Sequence, residues 1–234
     1  MIVFGVVVLQ FNEGSIMKLP MLFVVGDSIS VQYGPYLEQY LKGRLDYVRR
    51  GGEDELAAIN LNIPQGANRG DSTMVLAYLQ ARQNHDPINA DLLMINCGLH
   101  DIKTDPTTRA RLVPIELYQE NLRRIVDIVR LAKPQMIWVA TTPCDESVHN
   151  HAESLFLRFR DDVKAYNAAA QEIMERAGIP VLDLYTFTVN LGDNLYCDHV
   201  HFTETVRHQQ AAFIAGWVSA WYAMRTSTPR SADS

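Results

Sequence analysis

Two short stretches at opposite ends of the sequence carry residue types suited to nucleophilic catalysis. "GDSIS" (26–30) follows the apolar run "MLFVV", and "CDHVHFTE" (197–204) precedes a helical pattern. A serine hydroxyl is a weak nucleophile until a base takes its proton, and the base needs a carboxylate to fix its tautomer. Ser28 offers the hydroxyl. The second stretch offers the other two groups, Asp198 and His201, with His199 as the rival base. Gly26 permits a tight strand-to-helix turn that lifts Ser28 Oγ clear of a sheet. Backbone N–H groups at the start of the following helix can face a developing oxyanion. No glycine stands two places after Ser28, so this is not the G-x-S-x-G elbow of α/β-hydrolases. The blander readings are an Asp27 or Ser28 helix cap and a solvent-facing His199. A metal at His199 and His201 would need further clustered ligands, which the sequence lacks, so neither metal nor cofactor is expected.

A third stretch, "NCGLHD" (96–101), places His100 and Asp101 where another apolar run stops. The elements that must position these groups alternate. Short apolar runs at 21–25, 45–50, 91–97, 135–143 and 179–185 read as strands. Helical patterns fill 33–43, 72–83, 114–133, 157–178 and 203–224. The third-last pattern opens at a proline, with Leu117, Leu122, Ile125, Val129 and Leu131 as its apolar stripe. Ser72 or Thr73 is the expected cap of the second, and a glycine ends the fourth. Strands alternating with helices predict an α/β fold with a parallel sheet covered on both faces. Functional groups then belong at the C-terminal ends of strands. Four places qualify: after Val25, between Arg50 and Ser72, after Asn96, and before Thr203.

The chain of 234 residues is long enough for one such domain, expected over 18–224. Residues 1–17 read as an N-terminal extension that packs loosely or adds an edge strand, and 225–234 as a disordered tail. The apolar start is too short to span a bilayer and lacks the basic and small-residue features of a signal peptide, so a cytoplasmic location is expected, with export as the alternative. A net charge of −6 argues against nucleic acid and anionic membrane as partners. Cys97, Cys144 and Cys197 have no metal spacing and are expected to be free thiols, with a Cys144–Cys197 pair as the alternative.

"GDSIS" near one end and "DHVHF" near the other resemble the first and last motif blocks of the SGNH, or GDSL, hydrolase family. The likeness covers roughly Lys18 to Met224. It implies a three-layer α/β/α, flavodoxin-like fold with about five parallel strands. It also implies a carboxylic ester hydrolase with Ser28 as nucleophile, His201 as general base and Asp198 as its orienting carboxylate. The family spacing Asp-x-x-His favours His201 over His199. In "GANRGDST" (66–73), Gly70 is the best match for the second-block glycine, ahead of Gly66. The third block normally reads Gly-x-Asn-Asp but here reads "GLHD", with His100 in place of the asparagine that helps form the oxyanion hole. A histidine ring also carries an N–H, so the resemblance implies an oxyanion hole of Ser28, Gly70 and His100, made sensitive to tautomer and pH. Asp27, Asp101 and His199 are expected beside these groups, Asp101 in a structural role.

The implied partner is a small-molecule or carbohydrate ester, with short acyl groups such as acetyl preferred because no second domain is available as a lid and an open cleft suits small groups. "CDESVHNHAESLFLRF" (144–159) is the one long loop at the active edge. Its apolar half, Leu155 to Phe159, would favour the alternative of a lysophospholipase or thioesterase if it lines an acyl pocket. A non-catalytic carbohydrate-binding protein on the same scaffold is the rival from another class.

Overall fold

The computed structural model describes residues 18–49, 52–151 and 153–227. The expected N-terminal extension lies outside these residues. Five strands form one parallel sheet: β1 (Met21–Val25), β2 (Asp46–Val48), β3 (Leu92–Ile95), β4 (Gln135–Val139) and β5 (Val181–Leu182). Their order is β2-β1-β3-β4-β5. Eight helices are interspersed among the described residues: α1 (Ser28–Leu41), α2 (Glu53–Ile59), α3 (Ser72–His85), α4 (Ile115–Arg130), α5 (Glu146–His149), α6 (Arg160–Arg176), α7 (Leu184–Val189) and α8 (Glu204–Ser227). Helix α1 packs on α8, while α4 packs on both α3 and α6. The sheet lies between these two groups, giving the three-layer α/β/α arrangement.

The central strands are apolar on both sides because helices cover both faces. Leu22 and Phe23 of β1, all of β3, and Met136 to Val139 of β4 are buried. Strand β1 pairs with β2 on one side and β3 on the other, with Val25 opposite Ile95. From β1 the chain turns outward to β2, then returns across β1 to build the remaining strands. This reversal leaves a crevice beyond the C-terminal ends of β1 and β3, the place where ligands bind in open α/β sheets. Ser28 follows β1 directly and "GLHD" follows β3.

Several element boundaries depart from the periodicity. Helix α1 begins at Ser28, five residues before the expected start, because Asp27 caps it: Asp27 Oδ1 accepts from Ile29 N at 3.0 Å. Pro35 lies inside this helix. Helix α3 is capped by Asp71, whose Oδ1 accepts from Thr73 N and Met74 N, so Ser72 is its first residue rather than its cap. In α4, Leu117 and Leu131 face outward, and Tyr118 and Val126 join Leu122, Ile125 and Val129 in the core. Strand β5 is cut to two residues because Asp183 accepts from Thr186 N and starts α7. Helix α8 runs to Ser227, three residues into the expected tail, and 228–234 lie outside the described residues. No helix among the described residues is long and apolar enough to cross a membrane.

Candidate active site

Gly26 ends β1 in close contact with the first turn of α1. A Cβ there would lie 2.7 Å from Ser30 Oγ, so a side chain is excluded where the strand turns into the helix. That turn makes Ser28 the first residue of α1, and a first helical residue has no acceptor for its N–H within the helix. Ser28 is therefore both a hydroxyl at a strand tip and a backbone donor at a helix N-terminus. The Asp27 cap and the Ser28 hydroxyl coexist in one turn, so the two readings of "GDSIS" are compatible.

The loop before α8 meets this hydroxyl. His201 Nε2 lies 2.9 Å from Ser28 Oγ, and His201 Nδ1 lies 2.7 Å from Asp198 Oδ2. Asp198 Oδ1 accepts from the backbone of Val200 at 2.8 Å and of His201 at 2.7 Å. The three-residue spacing works because the aspartate closes a tight turn on its own backbone, which delivers the imidazole back to the other carboxylate oxygen. Partial burial pushes the Asp198 carboxyl up, but the His201 and Val200 N–H groups and the His201 ring together hold it below the usual carboxylate range. His199 takes no part in this chain. Its ring lies 4.4 Å from His149 and 6.3 Å from His201, centroid to centroid, and its Nε2 is buried without a hydrogen-bond partner among the described residues.

The loop 66–70 is tied to the same edge. Arg69 N donates to the Gly26 carbonyl at 2.9 Å, beside a bridge between Gly26 and Asn68. Gly70 adopts φ +70°, and a Cβ on it would approach Met74 Sδ to 2.6 Å and Pro64 Cβ to 2.8 Å. Its N–H donates to Asn68 Oδ1 at 3.2 Å, near the long limit for such a bond. Gly66 also has positive φ, but its Cβ position would clash with the α2 backbone.

Beyond β3, Asp101 is fully buried and both its oxygens accept from Ser72 N, at 2.9 and 3.1 Å. It joins the third block to the start of α3. Burial pushes its carboxyl up to about 7. His100 is 4% exposed, and neither ring nitrogen has a hydrogen-bond partner among the described residues. Burial, with Lys103, Arg158 and His201 adding to it, holds the imidazole well below its ordinary pKa. The ring is thus neutral through the neutral pH range, with one N–H donor.

Three groups at this edge were not singled out by sequence. Arg158 is buried, with Nε donating to the Leu99 carbonyl at 2.9 Å. Lys103 lies over the Phe156 ring, and His149 packs between Phe156 and His199. Loop 144–159 carries two of them, His149 and Arg158. In its apolar half Leu155 is 91% exposed, and Leu157 pairs through its backbone with Thr104. Cys97 and Cys144 are buried and Cys197 is exposed, all as free thiols.

A three-layer α/β/α fold with a serine, a histidine and an aspartate joined by hydrogen bonds beyond its strand ends defines a class of serine hydrolases. Residues 24–206 match the model of the GDSL-like lipase/acylhydrolase family, and the chain belongs to that family as a carboxylic ester hydrolase. No curated protein matches the sequence. Among solved structures, the chain is similar to a lipase/acylhydrolase from Enterococcus faecalis, with a TM-score of 0.63 at 16% identity over 87% of this chain and 97% of that one. It is similar to the native aryl esterase of M. smegmatis, with a TM-score of 0.62 at 14% identity over 86% and 99%. A third is LAE5, a hydrolase from the metagenome of Lake Arreo, with a TM-score of 0.62 at 18% identity over 87% and 96%. At these identities the likeness bears on the fold.

Proposed function

We propose that the protein hydrolyses a short-chain carboxylic ester through an acyl-enzyme at Ser28. The observation carrying this reading is the unbroken chain from Ser28 Oγ through His201 to Asp198, at 2.9 and 2.7 Å. Ser28 Oγ attacks the ester carbonyl while His201 Nε2 takes its proton. The imidazolium so formed is stabilised by Asp198, whose lowered pKa keeps it ionised. His201 then protonates the leaving alcohol. A water attacks the acyl-enzyme by the same route in reverse, with His201 as base, releasing the acid and restoring Ser28.

The tetrahedral oxyanion receives the Ser28 N–H, the Gly70 N–H and the ring N–H of His100. Gly70 exchanges its long bond to Asn68 for the more strongly charged oxyanion. His100, neutral and unpartnered, replaces the amide that the family's asparagine offers. Each such donor is worth roughly a hundred- to a thousand-fold in turnover.

The exposed Leu155 and the backbone-paired Leu157 leave loop 144–159 without a continuous apolar wall. This supports small acyl groups, such as acetyl on a carbohydrate, over long ones. Hydrolysis of p-nitrophenyl esters from acetyl to dodecanoyl tests it. Activity should peak at acetyl or butyryl, and a peak at decanoyl or longer would reject the short-chain reading.

A further inference from the structure

The active edge holds positive charge that the serine chemistry does not use. Arg158 is 4% exposed, yet no carboxylate among the described residues forms an ion pair with it. Its Nε is occupied by the Leu99 carbonyl, and its Nη1 is buried with no hydrogen-bond partner among the described residues. Lys103 comes to the same place from the turn after "GLHD". Its Nζ lies 4.7 Å, and Arg158 Cζ 4.9 Å, from the centre of the Phe156 ring. Lys103 also has no ion-pair partner among the described residues.

Two cations sharing one aromatic ring repel each other, and burial strengthens the repulsion. Burial and the neighbouring Arg158 together push Lys103 down to about 8, and burial pushes Arg158 down to about 10. The carboxylates whose fields reach Arg158 are engaged elsewhere. Asp198 holds His201, and Asp27, pushed towards its neutral form by burial, caps α1. A buried guanidinium without a counter-ion is costly, so structures rarely keep one unless something supplies the charge. Arg158 is held on the carbonyl of Leu99, which adjoins His100, and the Phe156 ring packs on His149, which packs on His199 beside His201, so the missing charge belongs near the reacting bond.

We propose that Arg158 and Lys103 form a subsite for an anionic group, a carboxylate or a phosphate, carried by the ester itself. The two Nη groups left free by the Leu99 bond present N–H donors that match two oxygens of such a group. Lys103, over the same Phe156 ring, adds a second charge. This subsite rests on the reading of Ser28 as nucleophile, since it defines which esters that nucleophile receives.

Three matched pairs of esters test it. Mono-p-nitrophenyl succinate against p-nitrophenyl acetate places a carboxylate on the acyl side. 4-Acetoxybenzoate and 4-acetoxyphenyl phosphate, each against phenyl acetate, place a carboxylate or a phosphate on the leaving side. At least one charged ester should exceed its parent tenfold or more in kcat/KM. That advantage should fall at least fivefold in Lys103→Gln, which leaves the Arg158–Leu99 bond in place. Charged esters no better than their parents, or an advantage unchanged in Lys103→Gln, would overturn the subsite while leaving the esterase reading intact. Hydrolysis of none of these esters would overturn the esterase reading instead. Calorimetric titration of the wild type with succinate and with phenyl phosphate then decides the subsite. Millimolar or tighter binding, weakened in Lys103→Gln, supports it, and absence of binding overturns it.

Discussion

Ser28 Oγ and His201 Nε2 lie 2.9 Å apart, although 173 residues separate them in the chain. One comes from the tip of the first strand and the other from the loop before the last helix. Helices α1 and α8, which begin beside these two residues, pack directly on each other. The contact between the helices therefore fixes the contact between the side chains.

The second link in the chain is open to a conservative change. In Asp198→Asn, the side-chain oxygen can still accept from Val200 and His201, so the turn survives. What is lost is the negative charge that holds Nδ1–H and stabilises the imidazolium. We expect kcat to fall by roughly three to four orders of magnitude, with little change in Tm. A Tm loss comparable to that of a core variant would show instead that Asp198 serves the fold.

The choice of base is testable by contrast. His199→Gln should retain activity within about tenfold, since its ring makes no bond to Ser28 or Asp198, whereas His201→Gln should lose nearly all turnover. Steady-state rates on p-nitrophenyl acetate measure both. Equal losses would mean that the two rings share the proton transfer.

His100→Ala should lower kcat roughly a hundred- to a thousand-fold, as removal of one oxyanion donor does, and His100→Asn should recover most of it. The burial that lowers the His100 pKa holds the ring neutral at pH values near 6.5, where a free imidazole is still partly charged. The kcat profile of the wild type and of His100→Asn should therefore have the same shape between pH 6 and 9. A limb present only in the wild type would show that His100 titrates in that range.

Buried imidazoles also set an acid limit on stability. His149 is pushed down to about 4, first by burial and then by Arg158 and His199. The unfolded chain takes up a proton near 6.5, while the folded one resists until about 4. Stability is therefore lost as pH falls through this window, by an amount on the order of 2 kcal/mol for this residue. His149→Phe should flatten the fall in unfolding free energy between pH 6.5 and 4.5. An identical slope in both proteins, measured by urea unfolding, would remove His149 as a cause.

The parts legible in the sequence are those set by local pattern. The strands β1, β3 and β4 are continuous apolar runs, and their burial on both faces follows from that. Ser28, Asp198 and His201 were legible because a fixed spacing produces a fixed turn: a three-residue gap lets Asp198 cap the backbone and hold the ring together. The start of α1 was not legible from hydrophobic periodicity, because the polar Ser28, Ser30 and Gln32 break the apolar pattern ahead of Tyr33 while the Asp27 cap sets the boundary. Nor was Arg158 visible. An arginine between Leu157 and Phe159 reads as an ordinary helix-entry residue, and only the tertiary packing of loop 144–159 against Leu99 and Lys103 buries it. The consequence of replacing asparagine by His100 was also hidden, because its protonation state depends on burial rather than on its neighbours in sequence.

The most direct measurement of the central claim is covalent labelling with a fluorophosphonate followed by peptide mass spectrometry. One equivalent of label should be found on Ser28. Labelling should be abolished in Ser28→Ala and slowed by at least a hundredfold in His201→Gln. A label on another residue, or full labelling of Ser28→Ala, would contradict the assignment of Ser28 as the nucleophile.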